Sequence, residues 1–120
     1  RPMQRGVQRA LEQLPDSFYS DLQDEYQQKR DLFCAALRDA GFKFDVPQGA
    51  YYVLADYTDV FGDIPSYDAV MTMIDRIGVN AVPGHLFYAE PNDVRCMRFQ
   101  FAVERSVLTE AAKRLRSLAR

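Results

Sequence analysis

One stretch, Val94-Arg95-Cys96-Met97-Arg98-Phe99-Gln100-Phe101-Ala102-Val103, limits what this chain can become. It is rich in aromatic and β-branched residues, and its apolar residues alternate, which is the pattern of a strand with one buried face. Met97, Phe99, Phe101 and Val103 fall on one side. Cys96, Arg98, Gln100 and Ala102 fall on the other. A strand of this kind demands a layer of helices over its apolar row. It also leaves a guanidinium, Arg98, standing mid-strand on the opposite face. That group either meets water or an acid of its own chain, or it is held ready for an anion. Its planar fork of donors matches a carboxylate bidentately and stays charged at any working pH.

The rest of the chain supplies the helices. Met3, Val7, Ala10, Leu11 and Leu14 recur at helical spacing over residues 3–14. Pro15-Asp16 breaks that pattern and offers a new cap. A long N-terminal helix is then expected over 17–40, with Phe18, Leu22, Tyr26, Phe33, Ala36, Leu37 and Ala40 on its apolar face. Gly41 stops it, and Phe42 folds back onto Leu37. Residues 43–46 read as a short edge strand and Pro47-Gln48-Gly49 as a turn. Residues 50–56 read as a strand apolar on both faces, hence central and covered twice. After a loop over 57–65, Ser66 is expected to cap a helix carrying Tyr67, Val70, Met71, Ile74 and Ile77, which Gly78 ends. A short strand over 79–82, a loop at His85-Leu86-Phe87-Tyr88 and a turn at 90–93 lead into the Arg98 strand. A last helix from Ser106 buries Leu108, Ala111, Ala112, Leu115 and Leu118. His85, a lone loop histidine, reads as exposed.

The expected fold is therefore α/β of the α+β kind. It is a two-layer sandwich with a small mixed sheet of three or four strands and helices packed on one face, all within a single domain over residues 1–120. Composition excludes several functions. A net charge of −2 with both signs interspersed lacks the basic stripe of a nucleic-acid surface. No apolar run approaches the roughly 20 residues that span a bilayer. Two cysteines, Cys34 and Cys96, and one histidine cannot assemble a disulfide framework or a zinc site, which points to no metal and a reducing, cytoplasmic setting. The chain opens on Arg1 rather than methionine, and the expectation is an excised piece of a longer protein.

Several segments occur in a recognisable order: Phe18-Tyr19, Tyr26, Lys29-Arg30-Asp31, Gly41-Phe42 and Pro47-Gln48-Gly49-Ala50-Tyr51-Tyr52. Gly78-Val79, Val82-Pro83-Gly84, Phe87-Tyr88 and Arg98-Phe99-Gln100-Phe101-Ala102 follow. Together they resemble the C-terminal small domain of the class I/II, fold-type I aminotransferases, in the branch of the kynurenine, aromatic and aspartate enzymes. The resemblance covers nearly the whole chain. It implies a pyridoxal-phosphate enzyme of amino-acid metabolism that moves an amino group between an amino acid and a 2-oxo acid, as a homodimer. It places Arg98 on the substrate α-carboxylate, where a bidentate clamp would orient the reacting Cα–H. It also puts Gly49, Tyr51 and Phe87 beside the substrate.

The resemblance further implies that the lysine that bonds the cofactor, and the groups that hold the cofactor's ring and phosphate, lie on a large domain outside this sequence. Lys29, Lys43 and Lys113 are its only lysines, and none stands in the family's lysine context. This chain alone is thus expected to carry no catalytic residue, to bind no cofactor and to be inactive. Its first helix is expected to be exposed where the large domain docks. Two other readings fit the residues: a non-catalytic regulatory domain that binds an amino acid, and a structural domain in which Arg98 is merely ion-paired.

Overall fold

The Arg98 strand forms as its alternation requires, and it occupies the centre of the sheet. The structure is a computed structural model that describes residues 1–90 and 94–119. Its helices are α1 (Pro2–Gln13), α2 (Asp16–Asp39), α3 (Thr58–Phe61), α4 (Ser66–Ile77) and α5 (Arg105–Arg116). Its strands are β1 (Tyr52–Asp56), β2 (Val82–Pro83) and β3 (Cys96–Gln100), and a 3-10 turn spans Gly84–Phe87. The sheet order is β1-β3-β2. In β3, Met97 and Phe99 are buried, as is Phe101 just beyond it, while Arg98 is half-buried and Gln100 exposed.

All the helix packing lies on the Met97/Phe99/Phe101 side. Phe33, Ala36 and Leu37 of α2, Val70 and Met73 of α4, and Leu108, Ala112 and Leu115 of α5 join Val53, Ala55 and the β3 row in one buried cluster. Phe99 lies at its middle, with ring centroids 5.7 Å from Phe33 and 5.5 Å from Phe42, both edge-on. The C-terminal end of α2 is a Schellman closure. Gly41 takes φ 98°, its N–H donates to Arg38 O, and Phe42 N–H donates to Leu37 O. Burial pushes the Cys34 thiol up, so it behaves as a small apolar core residue.

Several expectations are corrected. The sheet is antiparallel throughout, not mixed: β1 and β2 both run antiparallel to β3. The two strands that the α4 crossover would place side by side in parallel are split by the insertion of β3 between them. β1 is accordingly not a central strand covered twice. It is outer to β3, with Val53 and Ala55 buried and Tyr52, Leu54 and Asp56 exposed. The strand expected at 43–46 reduces to a single bridge between Lys43 and Asp56. The strand expected at 79–82 forms only at Val82–Pro83. The loop over 57–65 contains the short helix α3. Ser66 does not cap α4: Pro65 stands at the cap position, Ser66 is the first helical residue, and its hydroxyl meets His85. Residues 91–93 of the turn expected at 90–93 lie outside the described residues.

α1 buries none of its residues. Met3 is 83% and Leu11 69% exposed, and the apolar stripe continues through Val7, Leu14, Phe18 and Leu22. A hydrogen bond from the Tyr19 hydroxyl to Ala10 O ties α1 back to α2. Removing residues 1–14 should therefore change the unfolding free energy by no more than about 0.5 kcal/mol, as for other surface changes. Urea denaturation of the truncated chain checks this, and a large loss would mean that α1 is part of the cooperative core.

Candidate functional site

On the face of the sheet away from the helices, Arg98 stands opposite Leu54 of β1 and Val82 of β2. Two rings lie against its guanidinium. The Phe87 centroid is 4.5 Å from Cζ and the Tyr52 centroid 5.3 Å. Such contacts are worth about 0.5–2 kcal/mol each, the larger values applying where water is excluded. They restrict a side chain that otherwise carries about 2 kcal/mol of rotamer entropy. Among the described residues no carboxylate pairs with Arg98. Arg98 is therefore held by aromatic faces, and among the described residues none accepts a hydrogen bond from its guanidinium or forms an ion pair with it. That is an arrangement suited to an incoming anion.

The neighbours of Arg98 follow from register. Tyr52 and Leu54 alternate onto the same face as Arg98, and Tyr52 is the diagonal cross-strand neighbour, within reach of a long side chain. Phe87 arrives from the other side on the 3-10 turn that follows β2. That turn presses closely on β3: a Cβ built on Gly84 would lie 2.3 Å from the Cys96 carbonyl oxygen, so only glycine fits there. Burial pushes the Cys96 thiol up, partly offset by a hydrogen bond with Tyr88, so Cys96 is not an activated nucleophile. Where β2 begins, an open cavity of about 700 Å³ adjoins Arg98 and is also lined by Asn80, Val82, Gln100, Val107 and Ala111.

Of the residues singled out from sequence, Arg98 and Phe87 are brought together. Gly49 and Tyr51 lie further along, in the bend that leads into β1. Gly49 lines a separate cavity of about 260 Å³ with Arg30, Pro47, Ala50 and Phe101. Tyr51 is 53% exposed and packs edge-on against Tyr52, with centroids 5.8 Å apart. The backbone of this bend is unusual. Ala50, not Gly49, takes the left-handed conformation, at φ 62°, a cost of about 1–2 kcal/mol for an L-residue with a Cβ. Arg30 donates to Pro47 O at 3.2 Å and so braces the bend from α2.

Two site residues escaped the sequence reading. The Tyr52 ring lies against the Arg98 guanidinium, and strict alternation counted back from Asp56 would have placed it on that face. His85, expected to be exposed, is half-buried and bonded to Ser66. Nothing in local sequence couples positions 66 and 85. Among the described residues no cluster of metal-ligating side chains occurs, and no helix is long and apolar enough to cross a membrane.

The chain matches the aminotransferase class I and II family over residues 1–115. It is 32% identical to the methionine aminotransferase of Escherichia coli K12 over 117 residues, which is 98% of this chain and 30% of that protein. It is 28% identical to mouse kynurenine–oxoglutarate transaminase 1 over 114 residues, 84% of this chain and 27% of that protein. Among solved structures, the N-succinyldiaminopimelate aminotransferase of Mycobacterium tuberculosis superposes with a TM-score of 0.79 at 30% identity, over 98% of this chain and 30% of that one. The chain thus spans under a third of the length of these relatives. An antiparallel three-stranded sheet with helices on one face, matched in sequence and in structure across most of its length, makes this chain a member of the class I and II aminotransferases.

Proposed function

We propose that this chain is the substrate-binding small domain of a pyridoxal-phosphate-dependent aminotransferase, and that Arg98 holds the α-carboxylate of the amino acid or 2-oxo acid. The observation that carries the proposal is the Arg98 guanidinium, flanked by Tyr52 and Phe87 and, among the described residues, without a carboxylate partner. A bidentate carboxylate would complete it. The ion pair forms beside two aromatic rings rather than in open water, which strengthens it. Gly49 and Tyr51 border the substrate from the bend before β1. The exposed rings of Tyr51, Phe87 and Tyr88 favour a substrate with an aromatic or large apolar side chain.

The cofactor supplies the electron sink of the reaction when bound. The lysines of this chain do not fit it. Lys29 is buried against Glu25 at 2.9 Å, Lys43 is paired to Asp59 at 2.7 Å, and Lys113 stands on the exposed side of α5. A large domain of the same protein provides the cofactor site, and this chain alone transfers no amino group. The uncovered stripe from Met3 to Leu22 is where that domain packs. Closure of the small domain over the substrate then excludes water, and the whole enzyme works as a homodimer.

Calorimetric titration tests the reading. The chain should bind an aromatic α-amino acid and the matching 2-oxo acid, and bind the amino-acid amide at least tenfold more weakly, since the amide offers no charge to the guanidinium. Equal affinity for acid and amide would refute a carboxylate site.

A further inference from the structure

Ser66 is the first residue of α4 and is 2% exposed. Its hydroxyl lies 2.8 Å from His85 Nδ1 and accepts the His85 backbone N–H at 3.2 Å. The backbone N–H can only donate. The hydroxyl oxygen has two lone pairs and one proton, so it can meet Nδ1 in either direction, according to the histidine tautomer, while it accepts the backbone N–H. Two bonds from one buried hydroxyl clasp the 3-10 turn to the start of α4, across 19 positions of sequence. The same turn is wedged on its other side against the Cys96 backbone at Gly84. Phe87 follows two residues after His85 and is 42% exposed. The ring is carried on the last residue of the turn, so a shift of the turn's backbone shifts the ring with it. The ring lies over the Arg98 guanidinium, 4.5 Å from Cζ.

We infer that the Ser66–His85 clasp is a positioning device for the carboxylate anchor. By fixing the turn Gly84–Phe87 to α4 it holds the Phe87 ring over Arg98 and keeps the guanidinium aimed at the ligand. The inference rests on the reading of Arg98 given above, and it adds two residues that touch neither ligand nor guanidinium. Without the clasp, Arg98 must be ordered by each ligand that arrives, and that ordering weakens binding.

The test uses all 120 residues of this chain and the nuclear magnetic resonances of the Arg98 side chain, which the Phe87 ring displaces upfield. Ser66→Ala and His85→Leu should abolish that displacement and weaken aromatic amino-acid binding by up to about tenfold. His85→Asn, whose side-chain amide can accept from or donate to the Ser66 hydroxyl where Nδ1 did, should restore both. The Met97 methyl resonance, on the helix side of the sheet, should stay in place in all three. Should Ser66→Ala fail to fold, the comparison of His85→Leu with His85→Asn decides the matter. Unmoved Arg98 resonances in His85→Leu, or an Asn variant that behaves like the Leu variant, would overturn the inference while leaving Arg98 as the anchor. An intact chain that binds the amino acid no better than its amide would instead overturn the anchor itself, and the clasp's role with it.

Discussion

Phe99→Ala should cost the chain about 3–5 kcal/mol, the range for truncating a buried aromatic residue. Phe99 is 2% exposed and sits on the central strand, beneath α2 and α5. Its ring meets Phe33 and Phe42 edge-on, and each such pair adds about 0.5–1.5 kcal/mol beyond the burial of area. The cavity left behind would be bounded by strand backbone on one side and two helices on the other, so it could not collapse easily. Domains of this size are stable by about 5–15 kcal/mol in total, so the variant should be partly unfolded at modest urea concentration. Phe99→Leu, which refills most of the volume, should lose less than half as much. Urea unfolding of the two variants measures this, and a loss below about 1 kcal/mol for Phe99→Ala would show that the core is not centred on this ring.

Arg98→Lys should weaken binding of an α-amino acid by about 10- to 100-fold while leaving stability nearly unchanged. Both halves follow from the site. Lysine keeps the charge but presents a single point donor group in place of a planar fork, so the bidentate geometry is lost. Arg98 makes no ion pair with its own chain among the described residues, so its replacement strands no buried acid. A structural arginine would behave in the opposite way, with lost stability and unaltered binding. Parallel calorimetry and thermal unfolding of this one variant separate the two.

The parts of the fold that could be read from sequence are those governed by local periodicity. The alternation of Met97, Phe99 and Phe101 determined which side of the strand takes the helices. Gly41 and Gly78 ended helices for the reason that makes glycine suitable there, positive φ. Arg98 was conspicuous because a charge in the middle of a strand needs a partner. What could not be read depends on which strands become neighbours. Tyr51-Tyr52-Val53-Leu54 is apolar at every position, and composition alone could not show that one of its faces would stay open. Once β3 lies between β1 and β2, Tyr52 rather than Tyr51 reaches the guanidinium. Ser66 was read as a cap because serine before an apolar run usually is one. Its bond to a histidine far along the chain is a tertiary fact that propensity does not contain.

A crystal of the chain soaked in an aromatic amino acid is the most direct trial of the central claim. The carboxylate should sit with both oxygens on the Arg98 guanidinium, in the gap between Tyr52 and Phe87. Density for the ligand elsewhere, with Arg98 still unliganded at saturating concentration, would contradict it.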